Sequence, residues 1–280
     1  MLTVADLTGL DKTLAGRRAA GDRIVLVPTM GNLHDGHLSL LKKARDSADY
    51  VVATIFVNPF QFGENEDFDS YPRTLEPDLR RLEAMDCDLV FIPKSKDVYP
   101  RGAEQATRVE VPGLSSILCG QQRPGFFRGV ATVVNILFNM VRPDAAVFGE
   151  KDYQQLLVIR RMVEDLRMTI EILVGETVRE PDGLAMSSRN VYLTPAERIL
   201  APMIYRQLEK VRDNLLAGER DFEAACMRAR EALRSAGFKP DYLEVRRAED
   251  LGVPQAVDDP LRVLAAAWLG KARLIDNIAV

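Results

Sequence analysis

Three residue types are scarce in this chain, and each scarcity removes a class of function. There are two histidines, three cysteines and one tryptophan in 280 residues. Cys87, Cys119 and Cys226 are odd in number and widely spaced. That argues against a disulfide framework and fits the reduced thiols of a cytoplasmic protein. With two histidines and no cysteine near them in sequence, a zinc ligand set cannot be assembled locally. No apolar run reaches the roughly twenty residues that cross a bilayer. The first eight residues lack the basic-then-apolar order of a secretory signal, so neither membrane nor export is expected. Positive charge is also not in excess: 37 Lys and Arg stand against 41 Asp and Glu, a net charge of −4. A general nucleic-acid binder carries a basic face. Any anionic substrate must therefore be held by local positive groups, helix starts or a metal ion.

What is present is an ordinary globular composition, 47% hydrophobic and 28% charged. The chain is long enough for one large domain or two. Its organising stretch is residues 24–37, Ile-Val-Leu-Val-Pro-Thr-Met-Gly-Asn-Leu-His-Asp-Gly-His. The opening apolar run suits a strand buried on both faces. Pro28 has no N–H and is expected to end the ladder. Gly31 allows a tight turn, and Leu38, Leu40, Leu41 and Ala44 give the following helix an apolar face. A strand, a glycine turn and a helix start form a ready anion site. His34 and His37 lie three apart and would share a helix face. Gly36 between them would let a nucleotide approach the backbone. Two histidines satisfied by ordinary packing explain this clustering less well than imidazoles aimed at phosphates.

Residues 1–22 read as a polar helical lead-in. Residues 50–57 form a second apolar strand, so the first two strands and the helix between them make a βαβ unit and imply a parallel sheet. Further strands are expected at 89–92, 145–148 and 169–174, with helices at 75–85, 129–141 and 153–166. The alternation predicts a doubly wound, Rossmann-like α/β domain over residues 1–180, binding ligands beyond the carboxyl ends of its strands. A smaller α+β domain is expected over 181–280. It would hold a long helix at 195–216 capped by Thr194, a second at 222–236, and strands at 241–246, 262–268 and 273–277.

Three more clusters look chemical. Residues 56–63, Phe-Val-Asn-Pro-Phe-Gln-Phe-Gly, place Asn58 and Gln61 at a strand end, where an amide can hold a hydroxyl or carboxylate. Residues 149–155, Gly-Glu-Lys-Asp-Tyr-Gln-Gln, offer Lys151 as a point charge for phosphate. Residues 182–190, Asp-Gly-Leu-Ala-Met-Ser-Ser-Arg-Asn, put two hydroxyls and a guanidinium together in a loop. Each alone is also compatible with a plain loop or a solvated helix start.

Together, the segments at 28–37, 56–63, 149–155 and 182–190 resemble the pantoate–β-alanine ligase family, in order and spacing, over essentially the whole chain. His-Asp-Gly-His resembles the HxGH signature of the wider nucleotidyl-transferase superfamily, and Met-Ser-Ser-Arg its mobile KMSKS-like loop. The resemblance implies an AMP-forming ligase. ATP and pantoate would give pantoyl adenylate and pyrophosphate, and β-alanine would then release AMP, with Mg²⁺ accompanying ATP. It implies that Met30, Gly31, Asn32, Leu33, His34, Asp35, Gly36 and His37 form the ATP turn. Gly149, Glu150, Lys151 and Asp152 would contact ATP, and the backbone near Val178 the adenine. Met186, Ser187, Ser188 and Arg189 would close over the phosphates. His34, His37, Lys151 and Arg189 would act in catalysis. Gln61, Gln155 and Asn58 would bind substrate, the two glutamines holding pantoate and Gln61 also lying near β-alanine. Tyr71 and Asp78 would lie near the metal, with Asp78 as its ligand. Relatives imply a homodimer. The rivals are another adenylyl or cytidylyl transferase of the superfamily and a non-catalytic nucleotide binder. One departure stands out: where relatives read Arg-Pro-x-His-Phe, residues 123–127 read Arg-Pro-Gly-Phe-Phe, so Phe126 replaces a histidine.

Overall fold

The structure is a computed structural model and describes residues 1–63, 68–254 and 260–280. The chain divides into two compact units, Met1–Glu150 with Val158–Glu176, and Lys151–Leu157 with Thr177–Val280. The division falls at Glu176, four residues before the 180 drawn from sequence, and a seven-residue piece of the earlier chain goes with the second unit.

The first unit is a six-stranded sheet, β1 (Leu2–Val4), β2 (Ile24–Thr29), β3 (Tyr50–Ile55), β4 (Leu89–Phe91), β5 (Ala145–Gly149) and β6 (Glu171–Gly175). The order is β1-β4-β3-β2-β5-β6, and every pair is parallel. Its helices are α1 (Leu7–Ala19), α2 (Asp35–Arg45), α3 (Leu75–Ala84), the short α4 (Ser95–Val98) and α5 (Cys119–Gln122), and α6 (Phe126–Val141). α7 (Tyr153–Asp165) is shared: through Leu157 it counts with the second unit, and from Val158 with the first. Ile24 to Val27 are wholly buried, as expected of a strand covered on both faces. Val25 and Val27 pack with Leu41, Ala44, Val51, Ala53, Leu82, Val90 and Val147 on one of those faces. Strand order reverses between β2 and β5, which makes their carboxyl ends the switch point.

Two local expectations change here. The lead-in is not wholly helical: Leu2, Thr3 and Val4 form edge strand β1, paired only with β4. Three residues are too few to show an alternation. Pro28 does not end β2, since pairing with β3 runs on through Pro28 and Thr29. Pairing with β5 stops at Leu26, so the ladder is one-sided where Pro28 sits, which a strand proline tolerates.

The second unit has α8 (Pro195–Leu200), α9 (Met203–Leu216) and α10 (Phe222–Ser235) against an antiparallel sheet, β7 (Lys239–Arg247), β8 (Leu261–Leu269) and β9 (Ala272–Ala279). The single helix expected at 195–216 is two, interrupted at Ala201 and Pro202, because proline lacks the N–H and crowds the preceding turn. Thr194 does cap α8. Its hydroxyl accepts from Glu197 N at 3.3 Å, while Glu197 accepts from Thr194 N at 2.8 Å. Leu208, Val211, Leu233, Leu243, Val263 and Ala267 form the core. Tyr153 at the start of α7 donates its hydroxyl to Ala248 O at 2.8 Å. Among the described residues no helix is long and apolar enough to cross a membrane. All three cysteines are buried, and none is in a disulfide.

Candidate active site

In the first unit the chain leaves β2 at Thr29 and turns through Gly31 (φ +79°) and Asn32 (φ +51°), both left-handed. Asp78 of α3 holds this turn. Its carboxylate accepts N–H from Asn32 and from Leu33, each at 2.8 Å, and the Thr74 hydroxyl at 3.0 Å. A Cβ on Gly31 would come within 3.0 Å of Asp78 Oδ2, so only glycine fits both the dihedral and the brace. Asp78 is 2% exposed, and both oxygens face the main chain. These contacts commit both oxygens to holding the turn. Among the described residues no three His, Cys, Asp or Glu side chains gather where they could hold a metal.

The turn delivers His34 as the N-cap of α2, with Asp35, Gly36 and His37 in its first turn. His34 N donates to His37 Nδ1 at 3.3 Å, and the two ring centroids lie 4.1 Å apart. Because Nδ1 accepts, the neutral His37 ring carries its hydrogen on Nε2 and is a donor there. The α2 start adds main-chain N–H groups and the positive end of a helix dipole.

At the end of β3, Asn58 is 1% exposed and its amide is engaged by the protein. Nδ2 donates to Gln61 Oε1 (3.2 Å) and Gly129 O (3.1 Å). Oδ1 accepts from the Tyr99 hydroxyl (2.7 Å) and Phe60 N (3.2 Å). Burial pushes the Tyr99 hydroxyl well above its ordinary pKa, so it stays protonated and donating. Asn58 therefore positions Gln61 instead of presenting its own amide to a ligand. Gln61 Nε2 lies 2.9 Å from Met30 Sδ, which joins the ends of β2 and β3. Arg123 donates to Gln61 O at 3.1 Å, and its guanidinium lies 3.7 Å from the centre of the Phe126 ring. The phenylalanine that stands in the histidine position is thus the shelf on which Arg123 rests. Gly149 and Glu150 close β5 on the same unit.

The second unit carries the remaining expected residues. Lys151 and Asp152 sit on the turn Glu150–Asp152 before α7, with Gln155 on the helix. The Lys151 side chain is 17% exposed, with Nζ 3.7 Å from Asp152 Oδ2. Lys151 O accepts from Asn277 Nδ2 at 2.9 Å. Val178 O accepts from Met186 N at 3.0 Å, and Arg179 bridges Ala185, so residues 178–186 fold back on themselves. Ser187 caps the turn Ser188–Tyr192, accepting from Arg189 N at 3.3 Å. Asp182 turns instead to Arg198, which holds its carboxyl below the usual carboxylate range.

Sequence reasoning missed Tyr99, Gly129, Arg179, Asp276 and Asn277. None lies in a motif, and each acts on a residue distant along the chain. A parallel sheet with a braced glycine turn, a capped histidine pair and an amide at its strand ends marks a Rossmann-like α/β enzyme.

Residues 3–279 match the family model described as Pantoate-beta-alanine ligase. A protein of Pseudomonas putida named pantothenate synthetase is 56% identical over 99% of this chain and 97% of its own. A crystal structure of pantothenate synthetase from Thermus thermophilus superposes with a TM-score of 0.90 at 46% identity, covering 99% of both chains. The pantoate-beta-alanine ligase of Francisella tularensis, complexed with beta-gamma ATP and beta-alanine, gives 0.83 at 35% identity, covering 100% of this chain and 97% of that one. The chain belongs to the pantoate–β-alanine ligase family.

Proposed function

We propose that the chain joins pantoate to β-alanine in two ATP-driven steps. A pantoate carboxylate oxygen attacks the α-phosphorus of ATP, forming a P–O bond as the bond to pyrophosphate breaks. The β-alanine amine then attacks the acyl carbon. A C–N bond forms, the C–O bond to AMP breaks, and the amine proton passes to solvent. The first nucleophile is already charged at neutral pH, so the protein must position two anions and stabilise a departing one. The histidine pair at the start of α2, together with the Gln61–Met30 contact that joins the ends of β2 and β3, carries the reading.

In this reading residues 30–37 and Gly149 to Asp152 take ATP, with His34 and His37 donating to its phosphates. Val178 offers its backbone to the adenine. Lys151 and Arg189 supply positive charge, and residues 186–189 shield the reactive anhydride from water. Gln61 and Gln155 hold pantoate. The first unit is the nucleotide and pantoate domain, and the second is a lid. Mg²⁺ accompanying ATP would neutralise phosphate charge. Asp78 braces the ATP turn through Asn32 and Leu33. The neighbour complexed with beta-gamma ATP and beta-alanine supports both ligands. A cytoplasmic homodimer completes the proposal. The test is AMP release with each substrate omitted in turn. Release that needs both pantoate and β-alanine supports the reading, and release without pantoate overturns it.

A further inference from the structure

Strand β9 carries two adjacent buried polar residues, Asp276 at 2% and Asn277 at 4% exposure. β9 is the edge of its sheet, paired only with β8. Neighbouring side chains on a strand point to opposite faces, and here each face grips a different part of the candidate machinery. On one face Asp276 takes a two-pronged contact from Arg179, 2.6 Å to Oδ2 and 2.9 Å to Oδ1. Arg179 also donates to Gly183 O at 3.1 Å and stacks 3.6 Å from the centre of the Tyr205 ring. It therefore anchors the folded-back segment that leads into residues 186–189. On the other face Asn277 Nδ2 donates to Lys151 O at 2.9 Å, while Asn277 Oδ1 accepts from Arg262, itself stacked 3.8 Å from the centre of the Tyr153 ring. Asn277 N closes the pair on Asp276 Oδ1 at 2.8 Å.

A buried ion pair is a poor source of stability, because desolvation offsets most of its attraction. Its geometric specificity is another matter: a bidentate pair fixes both distance and orientation. We propose that Asp276 and Asn277 are positioning residues for adenylate formation, setting the spacing between the Lys151 ammonium and the Ser-Ser-Arg loop from one strand. This rests on the reading that Lys151 and Arg189 engage the triphosphate. Neither Asp276 nor Asn277 touches the reacting atoms.

The discriminating variant is Asn277→Asp. It keeps the acceptor for Arg262 and turns the donor to Lys151 O into a second acceptor, so the carbonyl is pushed away. The measurements are pantoate-dependent exchange of pyrophosphate into ATP, and pantothenate formation from supplied pantoyl adenylate and β-alanine. A displacement approaching 1 Å lowers a positioned step by up to about 10²-fold. Exchange should fall about 10–10²-fold, with aminolysis of the supplied adenylate within about twofold of wild type. Equal losses in both half-reactions, or none in either, overturn the proposal. The double variant Arg179→Gln with Asp276→Asn keeps hydrogen bonding without charge and stands in should Asn277→Asp not fold; the same two outcomes decide. Lys151→Ala serves as control. If it leaves exchange untouched, the reading of Lys151 has failed. If it abolishes exchange while Asn277→Asp does not, only the positioning role has failed.

Discussion

Gly129 offers the clearest separation of stability from activity. It lies in α6 where the helix meets the turn Pro59–Gln61, and a Cβ there would sit 2.3 Å from Phe60 O and 3.0 Å from Gln61 N. Ordinary contact begins near 3.4 Å, so Gly129→Ala must displace the turn or the helix by about 1 Å. Inserting a methyl into a packed contact costs about 1–3 kcal/mol. Alanine regains about 1 kcal/mol over glycine inside a helix. The net loss is therefore between about 0 and 2 kcal/mol, a fall in Tm of about 2–4 °C per kcal/mol for a unit of this size. Activity should respond far more. Gln61 would move with the turn, and a 1 Å misplacement of a positioning group costs about 10²-fold. Steady-state kinetics with varied pantoate should show kcat/KM for pantoate down by about that factor, with the thermal transition only slightly lower. A folded Gly129→Ala enzyme with wild-type kcat/KM for pantoate would refute the placement of Gln61.

Lys151→Ala should slow adenylate formation about 10²–10³-fold, the scale for one preorganised charge partner; single-turnover release of pyrophosphate measures it. Phe126→His should leave KM for pantoate near wild type at pH 8 but raise it as pH falls through about 6.5. The protonated ring would then repel the Arg123 guanidinium that wild type stacks on Phe126, and a KM profile of the same shape in both enzymes would contradict this. Burial pushes the Cys87 and Cys226 thiols up to about 11, so at pH 8 both should resist iodoacetamide until the chain is unfolded, as read by mass spectrometry of the labelled peptides.

The parallel domain was legible because β2 and β3 are continuous apolar runs separated by a helix with a clear apolar face. β1 was not, since its pairing with β4 rests on three residues and no periodicity. The long helix at 195–216 misled for a different reason. Ile199 and Leu200 extend the apolar pattern up to Pro202, yet they are 77% and 41% exposed and belong to no core stripe. Asn58 and Asp78 stand out in the sequence by type and position. Their work as braces shows only when Tyr99, Gly129 and the turn at Asn32 and Leu33 are in view. Arg179 and Asp276 are 97 residues apart and carry no motif, so only packing brings them together.

The ownership of Lys151–Leu157 has a consequence for anyone who would cut or recombine this chain. A fragment ending at Glu176 would carry those seven residues away from Asn277 and Ala248, leaving the Lys151 carbonyl and the Tyr153 hydroxyl without their hydrogen bonds. Grafting one half of a homologue onto the other would need three junctions, at 150/151, 157/158 and 176/177, instead of the single splice that a two-part protein invites.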